Sequence, residues 1–319
     1  MRTSGTPIRT AEASAVFAPA VPAATSTGGS LGERLRRYLS CLRLQEILVF
    51  QGSPLLGAAF AIRHPAAENV GRLVMLTVAN VCLMAHIFML NDWCDLTTDL
   101  TDPNKAAGVF TASGAGRKEI GGLAASLLAL SLLLFSRLGP STLWLSLAIA
   151  TLSALYSLPP FNWKGRPLFN SAAHLAGGAL HFLLGYSLGN AIDRRGLATA
   201  TFFALTFAAG HLTQEVRDHQ GDVLNAIRTN AVIFGHRRTF AASLALFTLA
   251  YALLFLLALQ GILPHPLAAL IVLYPVHLRW SLKTLAEGLT YASIRRLQAR
   301  YRVLYAIIGL AMVAALWLD

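Results

Sequence analysis

Long uncharged apolar runs recur along almost the whole chain, and they constrain its fold more than any other feature. A run of about 18 or more apolar residues is long enough to cross the hydrocarbon core of a bilayer as a helix. Nine such runs are read, at about 44–62, 73–91, 119–137, 141–158, 171–192, 197–214, 240–260, 264–282 and 303–318. The first carries Glu46, Gln51 and Pro54 and the last is short, so the count has a bracket of eight to ten. With 55% hydrophobic and 13% charged residues, 319 residues lack the charge to cover a soluble domain. The expected fold class is an all-α integral membrane protein of about nine transmembrane helices.

Residues 1–32 read as a disordered tail, since they are rich in Ala, Thr, Ser, Pro and Gly and lack the apolar core of a signal peptide. Few acids, with Arg2 and Arg9, also suit an organelle transit peptide. Cys41, Cys82 and Cys94 form no CxxC pair and no even framework, which argues against zinc and disulfides.

The basic residues orient the chain. With the N-terminus inside, only Arg63, Arg72, Arg137, Arg194 and Arg195 fall in outer connections, and the other 21 of 26 Lys and Arg residues lie inside. The N-terminus is therefore expected on the cytoplasmic side. Attraction to that leaflet and to anionic lipid explains the formal charge of +11, and no nucleic-acid partner is expected.

The acids need a different account. NDWCDLTTD (91–99) holds Asp92, Asp95 and Asp99, and QEVRDHQGD (214–222) repeats the spacing with Glu215, Asp218 and Asp222. On a helix, positions i, i+3 and i+7 lie within about 60° of one another, so each motif makes a stripe of like charge. Such a stripe near low dielectric needs either protonation or a cation. Hard oxygen donors without nearby His or Cys favour Mg²⁺. Solvated helix ends would explain one motif, but two with matched spacing on one membrane side point to function. The motifs follow the second and sixth spans, so both emerge at the cytoplasmic mouth. Being four spans apart, they imply two parallel pseudo-repeats of four helices plus one, unlike the inverted repeats of many transporters.

NDWCDLTTD resembles the NDxxDxxxD signature of the UbiA superfamily of intramembrane prenyltransferases. RDHQGD is similar to that family's second DxxxD motif, RTNAVIFG resembles its continuation, and LYSLPPFNWKGRP resembles its segment after the fourth span. The likeness covers residues 40–319, which are expected to form one transmembrane prenyltransferase domain. It implies helices around a central cavity and transfer of an isoprenyl group from an isoprenyl diphosphate to a small, aromatic acceptor. Two Mg²⁺ ions held by Asp92, Asp95, Asp99, Asp218 and Asp222 would neutralise the diphosphate as an allylic carbocation forms. Lys164, Arg166 and Lys105 would add cationic contacts to the same oxygens. Tyr156 resembles a family position near the reacting carbon, Asn91 matches the family pattern, and Glu215 joins Asn91 as a candidate substrate-binding residue.

The sequence also departs from the family. Lys105 lies in DPNKAAGVFTASG, which lacks the Arg-Pro pair that follows in many members and with it any acceptor or lid role of that arginine. A terpene cyclase, in which the chain's own double bonds attack the cation, is therefore a second reading, and a cation-coupled membrane carrier a third. His86, His174, His181 and His211 can orient an acceptor or act as a base, yet interhelical hydrogen bonding is the ordinary expectation for each, as for Glu46 and Gln51. RRLQARYR (295–302) reads as a helix end facing lipid headgroups.

Overall fold

A computed structural model describes residues 30–62, 66–189 and 191–316, and among them every regular element is helical. Residues 1–29 of the expected tail lie outside the described residues, whereas its last positions open α1 (Leu31–Cys41), which is too short to span a membrane. The first apolar run breaks at Phe50–Gln51 into α2 (Leu44–Val49) and α3 (Gly52–Ile62). Pro54 explains the break: proline fits only the first turn of a helix, so a new helix must start just ahead of it. Gln51 is buried there, donating from Nε2 to the Ile47 carbonyl at 2.9 Å and accepting from Asn80 Nδ2 at 3.0 Å.

The remaining runs become α4 (Ala67–Thr101), α5 (Arg117–Leu138), α6 (Pro140–Ser157), α7 (Phe169–Tyr186), α8 (Arg194–Leu224), the short α9 (Asn230–Phe234), α10 (His236–Leu259), α11 (Tyr274–Ala286) and α12 (Tyr291–Leu316). Among the described residues, six stretches are long and apolar enough to cross a membrane: Leu44–Ile62, Asn69–Thr101, Arg117–Leu138, Arg194–Leu224, His236–Leu259 and Tyr291–Leu316. Each of the nine expected runs forms helix over most of its length among the described residues, and α6 and α7, with 18 residues each, are interrupted by polar side chains, Thr142, Ser146 and Ser153 in one and Asn170, His174 and His181 in the other. The run at 264–282 is a 3₁₀ helix over His265–Leu273 that continues into α11. Pro275 sits in the first turn of α11, where its missing N–H needs no intrahelical partner, and so marks where the α-helix begins.

Sequential helices pack side by side from α4 to α8, then α8 against α10, and α12 closes the bundle by contacting both α3 and α8. Missing side chains allow the closest approaches. A Cβ on Gly185 of α7 would stand 1.7 Å from the Pro54 carbonyl oxygen, and one on Gly57 of α3 would stand 2.1 Å from the Phe182 carbonyl oxygen. Where lipid competes for apolar surface, such backbone contact and buried interhelical hydrogen bonds hold helices together. Ser131 Oγ donates to the Ala79 carbonyl at 2.8 Å, and Ser243 Oγ to that of Ala209 at 2.7 Å. His86 Nδ1 lies 2.9 Å from the Ala124 carbonyl, the interhelical role expected of it.

The C-termini of α4 and α8 meet at one end of the bundle. Asn225, just beyond α8, donates to the Thr98 carbonyl at 3.1 Å and accepts from the Thr101 hydroxyl. The two motif-bearing helices thus run in the same direction, as parallel repeats require.

Candidate active site

The last turns of α4 and α8 bring the two acidic stripes face to face, each already matched with positive charge. Arg43, between α1 and α2, forks onto Asp92, with Nε 3.3 Å from Oδ2 and a second ion-paired contact to Oδ1. Lys164, held in a 3₁₀ turn (Trp163–Gly165) after α6, pairs with Asp95. Arg217 grips Asp218 through two bonds of 2.7 and 2.9 Å. Lys105 bridges the stripes: its Nζ is 3.7 Å from Asp99 Oδ1, 3.5 Å from Asp218 Oδ2 and 3.9 Å from Asp102 Oδ2. Burial works against that ammonium charge, but the Asp218, Asp99, Asp222 and Asp102 carboxylates outweigh it and hold the Lys105 pKa above the ordinary lysine value. Asp222 accepts from Thr229 Oγ1 at 3.2 Å. Asp102 fits against α8 only because residue 221 is glycine, whose Cβ would stand 2.3 Å from its Oδ2.

Beneath this mouth lies a cavity of about 1260 Å³. Asn91, Asp92, Asp95, Asp99, Lys105, Tyr156, Lys164, Glu215, Asp218 and Asp222 all line it. Arg166 does not: it is exposed, on the far side of the turn that directs Lys164 inward. Glu215 lines the wall but is 4% exposed. Its oxygens accept from Asn170 Nδ2, from Asn230 Nδ2 at 3.1 Å and from the Ala231 amide at 3.3 Å, so it ties α8 to α7 and α9. Glu215, expected to bind substrate, thus lines the cavity with its oxygens already engaged by the protein.

The cavity interior is aromatic. Phe50 meets Phe88 and Phe207 edge to face, with centroids 5.6 and 5.3 Å apart. Tyr156 meets His174 edge-on at 5.1 Å, and His174 stacks on His211 at 3.6 Å with 7° between the planes. His181, two turns along α7, rests its Nε2 3.1 Å from Met84 Sδ.

Sequence reasoning missed several lining residues. Arg43 and Arg217 were legible only as inner-side charge, because their partners are fixed by folding. Arg295 and Arg302 line the cavity alongside Tyr291, although their segment reads as headgroup-facing. Gln298 in the same segment accepts from Arg217 Nη1 at 3.1 Å and so joins α12 to the second motif.

Among the described residues no three His, Cys, Asp or Glu side chains converge closely enough to enclose an ion. The donor set nevertheless fits Mg²⁺. It is hard oxygen throughout, and the ammonium and guanidinium groups resting on these carboxylates show a mouth built to hold positive charge.

Comparison with known proteins agrees with this geometry. The chain is 27% identical over 299 residues to the lycopene elongase/hydratase of Haloferax volcanii, spanning 91% of each chain. Its fold is similar to a UbiA homologue from Archaeoglobus fulgidus bound to GPP and Mg²⁺, with a TM-score of 0.66 and 18% identity, covering 89% of this chain and 100% of that one. It is also similar to digeranylgeranylglyceryl phosphate synthase, with a TM-score of 0.68 and 16% identity, covering 90% of this chain and 100% of that one. The model of the UbiA prenyltransferase family matches residues 53–288, a stretch that contains both acidic motifs, every cavity-facing lysine and the helices between them. With these matches added to its apolar helices, the chain is an integral membrane enzyme that belongs to the UbiA prenyltransferase family.

Proposed function

We propose that this protein is a Mg²⁺-dependent prenyltransferase that moves an isoprenyl group from its diphosphate to a small, electron-rich acceptor within the bilayer. The reading is carried by one observation: acids from two helices face each other across Lys105, directly above an apolar, aromatic-lined cavity. Asp92, Asp95, Asp99, Asp218 and Asp222 hold Mg²⁺, which supplies charge neutralisation for the leaving diphosphate. Lys105 and Lys164 turn from the carboxylates to the diphosphate oxygens, and Asn91 adds a neutral polar contact at the same mouth. Tyr156 faces the carbon from which the diphosphate leaves, and its ring stabilises the developing cation. The apolar interior keeps water from that cation. The basic inner connections favour a cytoplasmic mouth.

An aromatic ring and a polyene both suit as acceptors, since each offers π electrons to an allylic cation. The relative named for elongating lycopene adds weight to the polyene. A cyclase is the second reading, favoured by the aromatic lining, because an isoprenoid's own double bonds can capture the same cation.

The test is pyrophosphate release from farnesyl or geranylgeranyl diphosphate with Mg²⁺, products being identified by mass spectrometry. We expect release to depend on Mg²⁺ and to rise at least tenfold when acceptor is added. A cyclised product without acceptor would establish the cyclase instead, and a folded protein releasing no pyrophosphate under any of these conditions would refute both.

Lys105 gives a sharper expectation. Lys105→Gln is expected to raise the KM for the diphosphate roughly tenfold, the loss of about one charge-assisted contact. Because its folded pKa is raised, the stabilisation from its charge is complete below the ordinary lysine value of about 10.4 and is lost only as pH rises through the higher folded value. KM measured at pH 6 to 9 should therefore show no titration from Lys105. A KM unchanged by the substitution would remove the diphosphate contact.

A further inference from the structure

We infer that His174 accepts the proton whose loss ends the reaction, and that His211 and Glu215 are positioning residues behind it. The inference rests on the proposed carbocation chemistry and assigns its final step.

Capture of an allylic cation by a double bond leaves a new cation on the joined product. A neutral product then requires loss of a proton from a neighbouring carbon, so a base must stand inside the apolar cavity. The aspartates at the mouth are ill-suited, being matched to Arg43, Lys105, Lys164 and Arg217.

His174 meets the requirement. It is half-buried in α7 and lines the cavity. Its Nδ1 lies 2.8 Å from the Asn170 carbonyl, which can only accept, so Nδ1 carries the hydrogen. The lone pair is left on Nε2, at the opposite edge of the ring. That tautomer is a base directed away from its own backbone.

Behind it stand a stacked ring that fixes the plane of the imidazole and a carboxylate whose negative charge favours the protonated form. The His211 ring lies flat on His174 at 3.6 Å. His211 Nε2 is 3.0 Å from Glu215 Oε1, an ion-pair distance, although the N–H direction misses the oxygen and the contact is electrostatic proximity rather than a hydrogen bond. The Asn170 and Asn230 amides and the Ala231 amide hold that carboxylate in place. His211 lies seven residues before Asp218, about 10 Å along the helix. That depth is where the joined carbons would sit, below a diphosphate held at the mouth.

In the proposed step a C–H bond beside the cationic carbon breaks, its electron pair forms a C=C bond that quenches the cation, and the proton bonds to His174 Nε2. It returns to solvent as the products leave. No oxidant or reductant is needed.

The test is product partition per pyrophosphate released, comparing proton-loss olefin with water-capture alcohol in His174→Phe, which preserves the ring stack and removes the lone pair. We expect the olefin-to-alcohol ratio to fall at least tenfold, whatever happens to total turnover. Free imidazole should restore it in His174→Ala. Glu215→Gln should shift the ratio the same way by a smaller factor, and it supplies the same measurement if His174→Phe does not fold. An unchanged ratio in the folded variants would overturn the assignment while leaving the prenyltransferase reading intact. Absence of pyrophosphate release from the wild-type enzyme would instead sink that reading.

Discussion

Asp218→Ala is expected to lower Mg²⁺-dependent pyrophosphate release by roughly 10³-fold, the scale of losing a principal electrostatic contact to the developing charge. Asp218 is the most heavily engaged acid in the mouth. It accepts two bonds from Arg217 and stands 3.5 Å from Lys105, so its removal takes the carboxylate from Arg217, leaves Lys105 with only Asp99 and Asp102, and deletes one of the oxygens proposed to hold the metal. Under the proposed mechanism, adding Mg²⁺ would not restore the rate, because both stripes would be needed to enclose the diphosphate. Pyrophosphate release should be compared at saturating Mg²⁺ in variants that match the wild type in thermal unfolding in detergent. A fall of less than tenfold would show that the second stripe is not part of the ionisation machinery.

The second large effect concerns the fold. Gly185→Ala is expected to destabilise the protein by about 3 kcal/mol, the upper end for overpacking. The added methyl would stand 1.7 Å from a backbone carbonyl oxygen of Pro54, and a backbone atom cannot rotate away as a side chain can. Either α3 leaves α7 or the break at Phe50–Gln51 shifts. Gly122→Ala is the matched control: it lies on exposed helix surface with nothing within 4 Å, and there alanine should gain up to about 1 kcal/mol. Thermal unfolding of both variants in the same detergent decides the matter, and equal midpoints would mean that the α3–α7 contact is looser than described.

Much of this architecture was legible because membrane helices announce themselves locally. Twenty apolar residues in a row need no knowledge of their neighbours, and an acid at i, i+3 and i+7 declares one helical face. That reasoning located the apolar helices, placed Asp92, Asp95, Asp99, Asp218 and Asp222 on shared stripes, and put both stripes at one mouth. It failed where geometry is set by partners distant in sequence. Arg43 finds Asp92 across 49 positions. Glu215 has the same spacing as its neighbours, yet Asn170 and Asn230 claim its oxygens, which the motif alone does not reveal. Lys164 and Arg166 look equivalent in NWKGRP, but Asn162 adopts a left-handed conformation at φ 42° and starts a turn that sends one inward and the other outward. RRLQARYR is exposed at Arg295, Arg296, Arg300 and Arg302, as its basic character suggests, but that Arg295 and Arg302 also border the cavity is set by the packing of α12 and not by the segment alone.

The junction at Asn225 carries a consequence for how such an enzyme can diversify. Its amide and the Thr101 hydroxyl fasten the ends of α4 and α8 to each other directly, so the gap between the two acidic stripes does not depend on the long stretch of chain that joins them in sequence. Substitutions at cavity-lining positions of α6 and α7 such as Ile149, Leu152 and Gly177 can reshape the cavity, or change which acceptor it admits, without altering the span across the mouth. Under the proposed mechanism, ionisation and acceptor choice are thereby separable traits. A library built in α6 and α7 should yield new products at nearly constant Mg²⁺ requirement, whereas changes at Asn225 should alter that requirement and leave product identity alone.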